Sequence, residues 1–143
     1  MRSYRRAAIG VALGLLVAAG PARAADLDLS VTNLRDGNGR VMIAVFNAAA
    51  TFLKDDQQVA AAILPANGAT VRVVLDLPPG RYAVSVFHDA NRNGKLDTNL
   101  VGMPTEGYGF SRDARGTMGP PAFDAAAFDL PAGGIRQSLK LGY

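Results

Sequence analysis

The chain has 143 residues, 49% of them hydrophobic, and contains no cysteine, which excludes disulfide staples and thiolate metal sites. Its formal net charge is +3, but four of the 15 Lys and Arg residues lie within the first 24 residues, so the remainder carries eleven basic residues against 12 acidic ones. The basic surplus that would suggest nucleic acid or anionic lipid as a partner is therefore absent from residues 25–143.

The first 24 residues have the features of a secretory signal peptide. Three arginines form a basic start, residues 7–20 are apolar, and Ala22-Arg23-Ala24 matches a small-x-small cleavage site. The apolar run is shorter than the roughly 20 residues that a spanning helix needs. The sequence therefore predicts a periplasmic or secreted protein with one mature domain, residues 25–143, and no membrane span after cleavage.

Apolar and polar residues alternate along the mature chain, with turn residues between the runs, which is typical of antiparallel sheets with one buried face. The pattern predicts seven strands, at residues 26–32, 41–47, 58–64, 70–76, 83–88, 125–130 and 135–141. The second strand is apolar on both faces, which favours a central position. We therefore expect an all-β fold: an antiparallel β-sandwich of about seven strands, immunoglobulin-like or transthyretin-like.

Two further segments carry signals, one at the start of the fifth predicted strand and one beyond the strand's end. Tyr82 follows Gly80 by two residues at the start of the strand, which predicts a tyrosine corner whose phenol bonds to upstream backbone. Residues 102–121, further along the chain, are rich in Gly, Pro and aromatics and are predicted to contain no regular element. A long irregular stretch in a small domain is usually functional or packed as a compact loop.

The loop at residues 89–97 predicts a calcium site. Calcium binds roughly six to eight oxygens, and this loop offers side-chain or backbone oxygens at its odd-numbered positions, with a turn glycine, Gly94, at the sixth. The oxygen donors are Asp89, Asn91, Asn93, the carbonyl of Lys95, and Asp97. The twelfth position is Leu100 instead of a glutamate, so Asn99 or Glu106 would have to complete the site, and we expect a weak Kd on the order of 10⁻⁴–10⁻³ M. The alternative is an Asx-rich turn held by its own hydrogen bonds, without metal.

No motif supplies a nucleophile elbow, a phosphate loop or paired carboxylates, so we expect a protein that is not an enzyme. His88 is the single histidine and Glu106 the single glutamate. The alternative is a periplasmic hydrolase that uses Glu106, His88 or Ser111. A pocket in which two of these side chains meet would favour that alternative.

The glycine-rich stretch after the loop contains the candidate partner-binding residues Glu106, Tyr108 and Phe110. Tyr108 and Phe110, with Phe123, would form an aromatic platform for a protein, peptide or glycan of the cell envelope, or would instead pin the stretch to the sandwich. We therefore expect a binding or structural module in which calcium fixes the loop and thereby positions the aromatic stretch for its partner.

Four motifs in this order resemble the bacterial secreted family classed as domain of unknown function 2141. They are residues 77–84 (LPPGRYAV), 87–99 (FHDANRNGKLDTN), 102–111 (GMPTEGYGFS) and 119–123 (GPPAF). The resemblance covers essentially the whole mature chain and implies an exported, sandwich-like domain of unassigned role, with no catalytic residues to transfer. Residues 89–97 are also locally similar to the calcium-bearing β-sandwich repeats of Gram-positive surface adhesins.

Overall fold

The computed structural model describes residues 23–143, so nearly all of the predicted signal peptide, residues 1–22, lies outside the described residues. Within residues 23–143 no helix has the length and apolar character needed to cross a membrane. The regular elements of these residues are eight strands, one 3-10 turn at Ser111–Asp113 and one short helix: β1 Ala25–Thr32, β2 Arg40–Phe46, β3 Ala60–Pro65, β4 Thr70–Leu77, β5 Gly80–Asp89, β6 Tyr108–Phe110, α1 Phe123–Ala126, β7 Phe128–Leu130 and β8 Ile135–Lys140.

The strands form two sheets. The first sheet has the order β4-β1-β8, and the second has the order β3-β2-β5-β6, with β7 pairing beside the start of β5. The apolar strand β2 lies between β3 and β5, which confirms its predicted central position. The pairing is mostly antiparallel, but β8 runs parallel to β1, in contrast to the expected all-antiparallel arrangement. The connection between β7 and β8 carries the chain from the second sheet to the first. There β8 lies beside β1 and runs in the same direction.

The main core lies between the two sheets and follows the predicted alternation. In β1, Leu27, Leu29 and Val31 are fully buried, whereas the residues between them are only half-buried or exposed. From the second sheet, Val41 and Val45 pack into the same core. The fold is therefore a β-sandwich, as the alternation predicts.

A second apolar cluster covers one end of the outer face of the second sheet. Phe46 from β2 and Phe110 from β6 pack there against Phe123 and the short helix α1. Phe52 lies between them, with its ring centroid 5.5 Å from that of Phe46 and 5.7 Å from that of Phe123, in edge-to-face contacts. We call this group the outer cluster.

Two sequence expectations are wrong in detail. Residues 125–130 were expected to be one strand, but the segment opens as the helical turn α1, and only Phe128–Leu130 pairs with β5. The turn lets Phe123 and Ala126 pack into the outer cluster, which an extended chain with alternating faces would not allow. Residues 102–121 were expected to lack a regular element, but Tyr108–Phe110 forms β6 by pairing with β5.

The predicted tyrosine corner is confirmed. The Tyr82 hydroxyl donates a hydrogen bond of 2.7 Å to the carbonyl of Pro78, four residues upstream. This bond fixes the bend between β4 and β5, and thereby the direction in which β5 runs toward the 89–97 loop.

Candidate functional site

The 89–97 loop begins at the buried carboxylate of Asp89, the last residue of β5. One oxygen, Oδ1, accepts a hydrogen bond from the Asn93 amide at 3.0 Å. The other, Oδ2, accepts from the Gly94 amide at 2.9 Å and from Arg40 Nε at 2.8 Å. Burial alone would raise the pKa of the Asp89 carboxyl, but the hydrogen bond and positive charge of Arg40 and the two amides together lower this pKa below its ordinary value.

The exposed side of the loop is a hydrogen-bonded network centred on Asp97. Asn91 and Asn93 each use the side-chain oxygen to accept the backbone amide two residues further on, at 3.1 and 2.9 Å, as Asx turns do. Their Nδ2 groups donate to the Asp97 carboxylate at 2.6 and 2.8 Å. Asn91, Asn93 and Asp97, which were predicted as calcium ligands, therefore lie together, and the two asparagines are hydrogen-bonded to the Asp97 carboxylate.

Glu106 closes the loop from the other side. Its buried carboxylate accepts the Ala90 amide through Oε1 at 2.9 Å and the Asp97 amide through Oε2 at 3.0 Å. One side chain thus joins the first and last turns of the loop, and we call this arrangement the Glu106 clamp. Sequence reasoning placed Glu106 near the loop as a possible calcium ligand, and the structure gives it this tethering contact.

A calcium ion in this loop would compete with the protein's own donors. Among residues 23–143, no three acidic or histidine side chains are grouped as a metal site. Asp89 is paired with Arg40, and the oxygens of Asn91 and Asn93 face backbone amides. To bind an ion, the amide groups would have to turn their oxygens away from the backbone and toward Asp97. Calcium binding stays a prediction.

The three residues of the hydrolase alternative are buried and face different partners. His88 Nε2 lies 2.7 Å from the Asn38 carbonyl and Nδ1 lies 3.1 Å from the Tyr143 hydroxyl, so the partners assign the proton to Nε2. Ser111 Oγ donates to the Ala126 carbonyl at 2.6 Å and accepts the Val84 amide at 2.9 Å. Across residues 23–143, no hydrogen bond joins any two of His88, Ser111 and Glu106.

The two aromatic candidates contact each other edge to face, with ring centroids 6.1 Å apart, but they differ in burial. Phe110 is buried in the outer cluster, with its ring centroid 6.2 Å from that of Phe52, as the packing alternative expected. Tyr108 is half-buried at the start of β6. Tyr108 is therefore the more exposed of the two residues, although it also packs against the outer cluster.

Tyr108 ends a row of apolar side chains that sequence reasoning missed. Met42 lies directly opposite both Ile63 and Phe87, and Phe87 lies directly opposite Tyr108, so the row crosses all four strands in the order β3-β2-β5-β6. Ile63 is 56% exposed and the other three are half-buried. We call these four residues the outer row. The sequence does contain a signal for the outer row, since β2 and β5 carry apolar residues at positions that point away from the core.

The outer row lies beside an unpaired strand edge. The Ala66 amide donates to the Gly39 carbonyl, so by alternation the backbone groups of Ala61 and Ile63 point away from β2. Pro65, which has no N–H, falls on the same outward side, where proline is tolerated. Within the described residues no strand pairs with this edge, and residues 57–66 contain no charged side chain.

Residues 29–137 match the family described as "Uncharacterized protein conserved in bacteria (DUF2141)". No curated protein and no solved structure matches the chain. The matched region contains the 89–97 loop, the Glu106 clamp, the outer row and the β3 edge. The chain therefore belongs to this bacterial family.

Proposed function

We propose that the protein is an exported binding module that captures an extended polypeptide segment of a cell-envelope protein along β3 and the outer row. The observation that carries the proposal is the continuity of the two features. Ile63 belongs both to the free edge and to the row of apolar side chains that crosses the sheet.

The free edge offers backbone hydrogen bonds to such a segment. The outward N–H and C=O groups of Ala61 and Ile63 are the pattern that strand addition uses. Exposed edges are usually protected by charged side chains, and residues 57–66 have none. The protection is limited to Pro65 at the end of the strand.

The outer row offers side-chain contacts to the same partner. Aromatic and Met side chains are enriched in protein interfaces, and Met42, Phe87 and Tyr108 are only half-buried, the first two on the inner strands β2 and β5. The outer cluster on one side and the Arg40–Asp89 pair on the other hold this surface in place. A partner would therefore meet a preformed surface, which lowers the entropy cost of binding.

Export is part of the proposal. Strand β1 begins at Ala25, directly after the predicted cleavage site, so removal of residues 1–24 would take none of the strands. Ala25 is itself buried against the core, which would anchor the new N-terminus.

Capture from a periplasmic extract by the immobilised mature chain tests the proposal. We expect Ile63→Lys and Ala61→Pro to lower recovery of the captured protein about tenfold or more. The first variant places a charge on the free edge, and the second removes a backbone hydrogen-bond donor from it. Val74→Lys is the matched control, since Val74 is 59% exposed on β4 of the other sheet. Equal recovery by all variants, or capture that survives protease treatment of the extract, would contradict binding of a polypeptide along β3.

Calcium is a second candidate ligand, supported by the convergence of Asn91 and Asn93 on the Asp97 carboxylate. With millimolar calcium and a Kd near the weak range of extracellular sites, we expect the Tm to rise by roughly 3–6 °C relative to chelator. Asp97→Asn should abolish the rise. An unchanged Tm in the wild-type protein at millimolar calcium contradicts this part of the proposal.

The remaining alternative, a periplasmic hydrolase using Glu106, His88 or Ser111, has less support. Each of the three is buried and hydrogen-bonded to a group outside the trio. A nucleophile needs a base within hydrogen-bond reach, and within residues 23–143 none of these pairs provides that contact.

A further inference from the structure

The segment between the 89–97 loop and Glu106 ends in an apolar tip. Leu100 is 107% exposed, Val101 81% and Met103 60%. Single exposed apolar residues are ordinary on protein surfaces, but three within four consecutive positions form a patch. We call residues 98–104 the tip.

The backbone of the tip does not need these apolar side chains. Asn99 Oδ1 accepts the amides of Val101 and Met103, each at 3.0 Å, and the Asn99 amide donates to the Met103 carbonyl at 2.8 Å. Gly102, with φ of +81°, supplies the left-handed residue of the turn. The turn is thus specified by Asn99 and Gly102, and polar residues at the other positions would serve it equally well.

The base of the tip is fixed to the sandwich. The Thr105 amide donates to the Asp97 carbonyl at 2.8 Å, and the Asp97 amide is held by the Glu106 clamp. The apolar side chains are therefore presented to solvent on an ordered projection, which reduces the entropy cost of using them in a contact.

The exposed charged side chains of residues 89–106 are cationic. Arg92 and Lys95 are exposed, and no ion pair to either is found among the described residues. The same segment contains three carboxylates, all buried or half-buried: Asp89 is paired with Arg40, and Asp97 and Glu106 accept hydrogen bonds from neutral amide groups. The segment that carries the three apolar side chains therefore exposes two positive charges, whereas its negative charges are less exposed.

We propose that the tip inserts into the interfacial region of an anionic lipid bilayer. Leu100, Val101 and Met103 would enter the boundary between headgroups and acyl chains, while Arg92 and Lys95 contact anionic headgroups. A convex tip has no concavity to hold a small ligand, which favours a deformable surface as its partner. The inference concerns a surface other than β3 and the outer row, so it stands or fails independently of peptide capture.

Insertion can be followed by a single fluorescent reporter, because the chain contains no tryptophan. Leu100→Trp should show a blue-shifted emission and reduced acrylamide quenching when vesicles of phosphatidylglycerol and phosphatidylethanolamine are added. Val74→Trp, on an exposed site of β4, should show neither change. An unchanged Leu100→Trp spectrum, or equal changes in both variants, would overturn the proposal.

Vesicle co-sedimentation of tryptophan-free variants gives a second readout that does not depend on the reporter. Replacing Leu100, Val101 and Met103 together by Ser should lower the bound fraction at least about tenfold, because most of the buried apolar area is lost. Replacing Arg92 and Lys95 by Gln should weaken binding about fivefold per charge and reduce its salt dependence. Val74→Ser should bind like the wild type. If the triple variant binds vesicles normally but loses capture of a protein, the tip is a protein-docking site and the lipid proposal is wrong.

Discussion

Asp89 shows how one residue connects the sheet to its loop. The carboxylate is fully buried, a position that acidic side chains occupy only with compensation, and here Arg40 and the amides of Asn93 and Gly94 provide it. Gly39 lets the neighbouring strand lie close to the backbone of Asp89, because a Cβ on Gly39 would lie 2.1 Å from the Asp89 carbonyl oxygen. The hydrogen bonds of the Asp89 carboxylate therefore fix the start of the loop, and protonation of this carboxylate is expected to weaken them.

The pH dependence of stability should report this pair. The pKa of Asp89 is lowered in the folded state from an ordinary value of 3.8, so its contribution is complete above about pH 4 and is lost as pH falls through the folded pKa. We expect Asp89→Asn to lower the free energy of unfolding by about 2–3 kcal/mol at pH 7, a value reduced by the partial exposure of Arg40. The gap to the wild type should narrow below pH 4.

Urea unfolding at pH 7 and pH 3 measures both effects. Asp129→Asn is the control, since Asp129 is exposed on β7 and should change stability by no more than about 0.5 kcal/mol. A pH-independent gap between Asp89→Asn and the wild type would contradict the role assigned to the ionised carboxylate.

The Glu106 clamp makes a separate residue-scale prediction. Glu106→Gln keeps one acceptor oxygen but turns an amide toward the second backbone N–H, so one of the two clamp bonds is lost. We expect amide exchange at Ala90 or Asp97 to accelerate by about tenfold, with the core strands unaffected. Hydrogen exchange read by NMR measures this, and uniform acceleration across β1 and β2 would show global destabilisation in place of loop opening.

At the scale of elements, the short strand β6 depends on close contact with the other sheet. A Cβ at Gly109 would lie 2.8 Å from Leu139 Cδ2 and 2.9 Å from the Lys140 carbonyl oxygen. Because β6 has only three residues, its position is fixed by these contacts and by the pairing of Tyr108 with Gly142 more than by its own propensity. This explains why a glycine stands in the middle of a strand, where it would otherwise be unfavourable.

Gly109→Ala should therefore be destabilising. The added methyl group has to push Leu139 and the β8 backbone, and we expect a loss of about 1–3 kcal/mol in the free energy of unfolding. Gly119→Ala is the matched control, because a Cβ there meets nothing within 4 Å. Chemical denaturation of the two variants compares them directly, and equal stability would mean that β6 can shift away from β8 at no cost.

At the scale of the whole molecule, the sandwich depends on its apolar core, since the chain has no cysteine for a disulfide. Leu29, for example, has 0% of its surface exposed and is enclosed between the two sheets. The side chains of the outer row and of the tip lie outside this core, whereas β3 also packs Ala60, Ala62 and Leu64 against it.

The export proposal makes a prediction about the mature molecule. Periplasmic material should have an intact mass that corresponds to residues 25–143, because the cleavage site precedes β1. Intact-mass spectrometry of fractionated cells measures this directly. Full-length chain recovered from the cytoplasmic fraction would contradict export.

The sequence by itself determined the strands whose faces alternate, the tyrosine corner at Tyr82 and the family, because these depend on local periodicity, turn chemistry and motif order. It also located the 89–97 loop, although it did not assign Arg40 as the partner of Asp89, since 49 positions separate them. Only the tertiary structure decided the parallel β1–β8 pairing, the short strand β6 and the outer row. Each of these depends on residues distant in sequence that become neighbours only when the sheets assemble, and no local pattern encodes that pairing.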